Sequence, residues 1–105
     1  MMERRRSPRV GINVELEGRK NGDVFLGTSV NVSETGILIQ TNKVMRPGDK
    51  ITIRLVSPGL PEIVGVGSVV RDADVGLEGQ GYAVQWDLTG EQKEALREMI
   101  QTSNE

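Results

Sequence analysis

From residue 10 to residue 86, apolar side chains recur at every second position in short runs, and a turn signal ends each run. Val10, Ile12, Val14 and Leu16 alternate with Gly11, Asn13, Glu15 and Glu17, the pattern of a strand buried on one face. Arg19-Lys20-Asn21-Gly22-Asp23 holds an Asn-Gly step, suited to a tight hairpin, so the chain is expected to return through Val24 to Val32. Ser33 to Gly36 turns it again, into Ile37-Leu38-Ile39. Arg46-Pro47-Gly48-Asp49 precedes alternating Ile51, Ile53 and Leu55, and Ser57-Pro58-Gly59-Leu60-Pro61 precedes a run from Ile63 to Arg71. Asp72 to Gly79 reads as a polar loop and Gly81 to Trp86 as the last strand. Gly65 and Gly67 suggest a bulge or sharp bend at a barrel corner. Six short strands between glycine-rich turns predict an all-β fold, a small six-stranded antiparallel β-barrel.

The period changes after residue 88. Thr89-Gly90-Glu91-Gln92 sets a threonine N-cap three residues before a glutamine, the spacing of a capping box. Ala95, Leu96, Met99 and Ile100 then share one helical stripe, so a C-terminal α-helix over about 89–101 is expected to close an opening of the barrel. The 105 residues fit one domain, read as a flexible basic arm over 1–9 and a barrel with its helix over 10–105.

Charge is unevenly placed. Arg4, Arg5, Arg6 and Arg9 against Glu3 give residues 1–9 a charge of +3, so the rest carries −5 of the net −2. A basic arm on an acidic body suits local capture of a small anion and does not suit a long nucleic acid, which needs a wide basic surface. The chain has no cysteine and no histidine, which removes thiolate nucleophiles, the usual zinc sites and the usual general base. No P-loop, G-x-S-x-G or H-E-x-x-H motif is present, and the acids Asp72, Asp74 and Glu78 miss the calcium-loop spacing. The expectation is no enzyme, no metal and no cofactor. With no apolar stretch near the roughly 20 residues of a span and no apolar region behind the basic start, membrane insertion and secretion are not expected, and a cytoplasmic location is.

Two polar motifs remain. Arg5-Arg6-Ser7-Pro8-Arg9 sets two arginines at R-x-x-x-R spacing, and Asn31-Val32-Ser33-Glu34-Thr35-Gly36 is an N-x-S-x-x-G turn between apolar runs. Guanidinium forks match phosphate and the O6/N7 edge of guanine in bidentate fashion, and asparagine and serine complement a base edge. Taken alone, the second motif also fits an ordinary β-turn, and the first a solvated basic tail.

Together the motifs resemble the signature of the PilZ domain, a bacterial receptor for cyclic di-GMP. Pro47-Gly48-Asp49, Gly67-Ser68-Val69-Val70-Arg71 and Gly81-Tyr82-Ala83-Val84-Gln85-Trp86 follow in the family's order, so the resemblance covers nearly the whole chain. It implies a non-enzymatic receptor in which Arg5 and Arg9 grip phosphates and a guanine edge, Asn31 and Ser33 hydrogen-bond a guanine, and Gly36 leaves room for ligand and turn. Arg4 and Arg6 match the family's preference for extra arginines. Trp86 is read either as a core plug or as a ring stacking on a purine, and Arg71 as a solvated residue or a ligand contact. The family often has Asp where this chain has Asn31. The implied partners are cyclic di-GMP and an unidentified protein effector, met by a monomer or weak dimer. Two other readings stand beside the receptor: a PilZ-like interaction module that binds no nucleotide, and a small barrel for single-stranded nucleic acid. The second needs stacking aromatics, and the chain has only Phe25, Tyr82 and Trp86.

Overall fold

Asn21 and Gly22 both have positive φ (54° and 86°), and they close the hairpin that the Asn-Gly step predicts. The hairpin joins β1 (Glu15–Lys20) to β2 (Asp23–Val32) in a computed structural model that describes residues 11–73 and 80–103. β3 (Gly36–Thr41), β4 (Lys50–Leu55), β5 (Ile63–Ala73) and β6 (Gln80–Asp87) follow, and α1 (Gly90–Ser103) ends the described chain. The strands are antiparallel and close into a barrel in the order β1-β2-β3-β6-β5-β4. Inward residues of alternate positions, among them Leu16, Ile37, Ile39, Ile53, Leu55 and Val84, form one core. Leu96 and Met99 on α1 join the same core, so the predicted helical stripe faces the barrel. No described helix is long and apolar enough to cross a membrane.

Four sequence expectations need correction. The first strand begins at Glu15, with residues 11–14 outside it and Val10 outside the described residues, because the Ser29 hydroxyl takes the ladder's place. It accepts from Val14 N–H at 2.9 Å and donates to Ile12 C=O, while Ser29 N–H donates to Val14 C=O. The capping box is half formed. Thr89 Oγ1 accepts from Gln92 N–H (3.2 Å), but Gln92 Oε1 accepts from Val64 N–H (2.8 Å) and ties the helix to β5. Gly65 and Gly67 are not the bulge. A Cβ at Gly65 would lie 2.6 Å from the Trp86 ring, and one at Gly67 would strike the Gln85 carbonyl, so these glycines admit the neighbouring strand's tryptophan. The bulge of β5 falls at Val70, where the register with β6 slips between Val69 and Arg71. The Asp72–Gly79 loop expectation is shortened by a strand that runs on to Ala73, and residues 74–79 lie outside the described chain.

Candidate functional site

Side chains of a strand alternate between faces, so Ser29, being buried, would carry Asn31 into the core beside it. An extra residue prevents this. Ser29 pairs with Ile39 and Asn31 with Leu38, which leaves Val30 as a bulge. The inward position passes to Val32, fully buried, and Asn31 turns to the outer face. Val70 does the same on β5. Without it Arg71 would follow Val69 inward; with it Arg71 is exposed.

The two bulges lie on one row. Asn31 pairs with Leu38, Leu38 with Ala83, and Ala83 with Arg71, across β2, β3, β6 and β5. Four strands spaced about 4.8 Å apart set the polar ends of this shelf roughly 14 Å apart. A hollow of about 260 Å³ opens beside it, lined by Thr35, Gly36, Val70, Arg71, Ala83, Val84 and Gln85. Among the described residues Arg71 holds only its neighbour, Nη1 donating to Asp72 C=O at 3.3 Å. Asn31 Oδ1 is the one buried side-chain polar atom, among the described residues, with no hydrogen-bond partner. A buried acceptor left unpaired costs about 1–3 kcal/mol, so the position calls for a donor.

The turn that follows Asn31 is rigid from within and from behind. Ser33 N–H donates to Gly36 C=O at 2.8 Å, and Ser33 Oγ accepts from Gly36 N–H (3.1 Å) and Thr35 N–H (3.3 Å). Ser33 is buried, and its hydroxyl builds the turn. Trp86 braces the turn twice, Nε1 donating to Ser33 C=O (3.0 Å) and N–H to Thr35 C=O (3.1 Å). At 2% exposure its ring is a core plug, and no face is left to stack on a purine. Glu34 points to the helix, accepting from Arg97 Nε at 3.1 Å, while Arg97 Nη1 donates to Glu94 at 2.7 Å.

Of the sequence candidates, Asn31, Gly36 and Arg71 share this outer face, with Ser33 and Trp86 behind it. Arg4, Arg5, Arg6 and Arg9 lie outside the described residues. Glu34 and Arg97 were not anticipated. Glu34 stood inside the motif as an unassigned position, but nothing local connects it to a partner 63 residues away. Among the described residues no group of His, Cys, Asp or Glu is placed to hold a metal.

Comparison with known proteins places this geometry. The family model "PilZ domain" matches residues 3–102. Among solved structures, the Bacillus subtilis inhibitor of motility (MotI/DgrA) superposes with a TM-score of 0.82 at 15% identity, over 98% of this chain and 52% of that one. This chain thus spans about half the length of that protein. The PilZ domain of Escherichia coli YcgR with c-di-GMP gives 0.78 at 10% identity, over 95% of this chain and 91% of that one. The PilZ domain of CeSA, from a cellulose-synthesising bacterium, gives 0.67 at 18% identity, over 94% and 100%. A comparison with curated proteins returns no match.

Proposed function

This chain belongs to the PilZ domain family, and from that premise we propose that it is a non-catalytic receptor for cyclic di-GMP. The observation that carries the reading is Asn31: a bulge turns it to the outer face, its Oδ1 is buried without a partner among the described residues, and it precedes a rigid turn whose Thr35 and Gly36 line a hollow. Guanine N1–H and N2–H₂ are donors of the kind that this acceptor lacks. Gly36 leaves the backbone open to the ligand. Arg5 and Arg9 grip phosphate oxygens and the guanine Hoogsteen edge, with Arg4 and Arg6 adding charge. Arg71 meets the ligand's far end, since the shelf is long enough for a dinucleotide to lie across it. The ligand's presence in the YcgR structure supports this choice of nucleotide.

Ordering of the arm is the output, a basic segment fixed into a surface that an effector protein reads.

Calorimetric titration tests the reading, with GTP and the Arg5→Ala/Arg9→Ala double variant as controls. Saturable heat from cyclic di-GMP with the parent alone is expected. Absence of binding at concentrations far above micromolar would instead leave a PilZ barrel that works only through protein contacts.

A further inference from the structure

The N-x-S-x-x-G turn carries a negative charge of its own. Glu34 lies between Ser33, whose carbonyl the Trp86 indole holds, and Thr35, which lines the hollow. A carboxylate on this turn sits one residue from the lining of the hollow, where, turned toward it, it would repel a ligand with two phosphates. The motif leaves this position free, so the chain was not bound to place an acid there.

We propose that Arg97 of α1 is a positioning residue for the nucleotide site, one that neutralises Glu34 and draws its carboxylate toward the helix, off the ligand's path. This deepens the receptor reading and rests on it. The geometry gives Arg97 two partners at once. Nε binds Glu34 at 3.1 Å across 63 residues of sequence, and Nη1 binds Glu94 at 2.7 Å one helical turn earlier. Glu94 thereby fixes the guanidinium that fixes Glu34, which a lone exposed pair would not achieve. The helix is itself anchored by Leu96 and Met99 in the core and by Gln92 on Val64 N–H, so Arg97 acts from a rigid base. Of the chemistry around the turn, Ser33 and Trp86 set its shape, and Arg97 sets its charge.

The test measures cyclic di-GMP affinity for the parent, Arg97→Ala, Arg97→Lys, Glu34→Gln and Arg97→Ala/Glu34→Gln, at low and high salt, with thermal unfolding of each. Arg97→Ala is expected to weaken binding about three- to fivefold at low salt and less at high salt, because the exposed carboxylate is then screened. Arg97→Lys keeps most of the affinity. Glu34→Gln binds as well as the parent or better, and adding it to Arg97→Ala restores affinity to within about twofold, although the contact stays lost. Parent-like binding by Arg97→Ala overturns the inference, as does a double variant as weak as Arg97→Ala, which would make Arg97 a matter of turn shape alone. A parent that binds no cyclic di-GMP overturns the receptor reading first and this inference with it.

Discussion

The two ends of β2 are both polar turns built from Asn, Gly and their neighbours, and they differ in what holds them. The Asn21-Gly22 end rests on its own backbone. Positive φ angles close it, nothing lies within 4 Å of a Cβ built at Gly22, and partly exposed ion pairs flank it, Lys20 to Asp49 at 3.2 Å and Lys43 to Asp23 at 3.5 Å. The Ser33–Gly36 end rests on the rest of the molecule. The core tryptophan, the terminal helix and a buried serine all hold it, and the acceptor just before it has no donor among the described residues. A turn that only reverses the chain satisfies itself. The Ser33–Gly36 turn is braced from behind and incomplete in front.

The contrast breaks most severely at Trp86. Trp86→Ala removes a fully enclosed ring and the indole N–H that holds Ser33 C=O, keeping only the backbone bond to Thr35, and is expected to lower stability by about 3–5 kcal/mol in denaturant unfolding. Next comes the ligand side. Arg5→Ala, Arg9→Ala or Asn31→Ala should each weaken cyclic di-GMP roughly 10- to 100-fold by calorimetry, with little change in the melting temperature for Asn31→Ala. Ser33→Ala should cost about 1–3 kcal/mol by leaving turn N–H groups unpaired, and should weaken the ligand as well. At the other end of β2, Gly22→Ala forces a side chain to a φ of +86°. It should cost about 1–2 kcal/mol of stability and leave ligand affinity unchanged. A turn that proved equally important to binding at Gly22 would remove the distinction.

The smallest effect is a pH effect beside the hairpin end. The Arg46 backbone N–H holds the Asp49 carboxyl below its usual carboxylate range; loss of hydration opposes this in part, and Lys20 adds to the lowering. A lowered pKa in the folded state means stability present above the unfolded value and lost as pH falls through the folded one. Asp49→Asn should therefore lower stability slightly at neutral pH, leave the acid end of a stability–pH curve nearly unchanged, and so flatten the rise between them.

Much of the barrel was legible because alternation and turn chemistry are local. The Asn-Gly hairpin, the runs that became β2 to β6 and the apolar stripe of α1 all depend on neighbours a few residues apart. What sequence could not supply were side chains that bond across the fold. Ser29 replaces ladder bonds of the first strand, Gln92 leaves its cap for β5, and Arg97 reaches Glu34, and no local pattern marks any of these. The bulges at Val30 and Val70 were equally hidden, because an extra residue shows only against its partner strand, yet they turn Asn31 and Arg71 outward onto one row. Asn31 and Gly36 were legible as candidates through the spacing of their motif, and the structure sets both on one outer face. Trp86 was ambiguous in sequence, since a ring beside a binding motif fits a plug or a stacking platform, and burial decides for the plug.

The central claim is that cyclic di-GMP binds on the shelf between Asn31 and Arg71, under the arginine arm. Amide and indole chemical shifts of the nitrogen-15-labelled full chain, followed through a titration, test it most directly. The account predicts saturable shifts at Asn31 to Gly36, Ala83, Arg71 and the Trp86 indole N–H, with β1 and β4 unmoved. Shifts concentrated instead around Glu17, Thr52 and Arg54 on the opposite face of the barrel, or no shifts at saturating ligand, would contradict it.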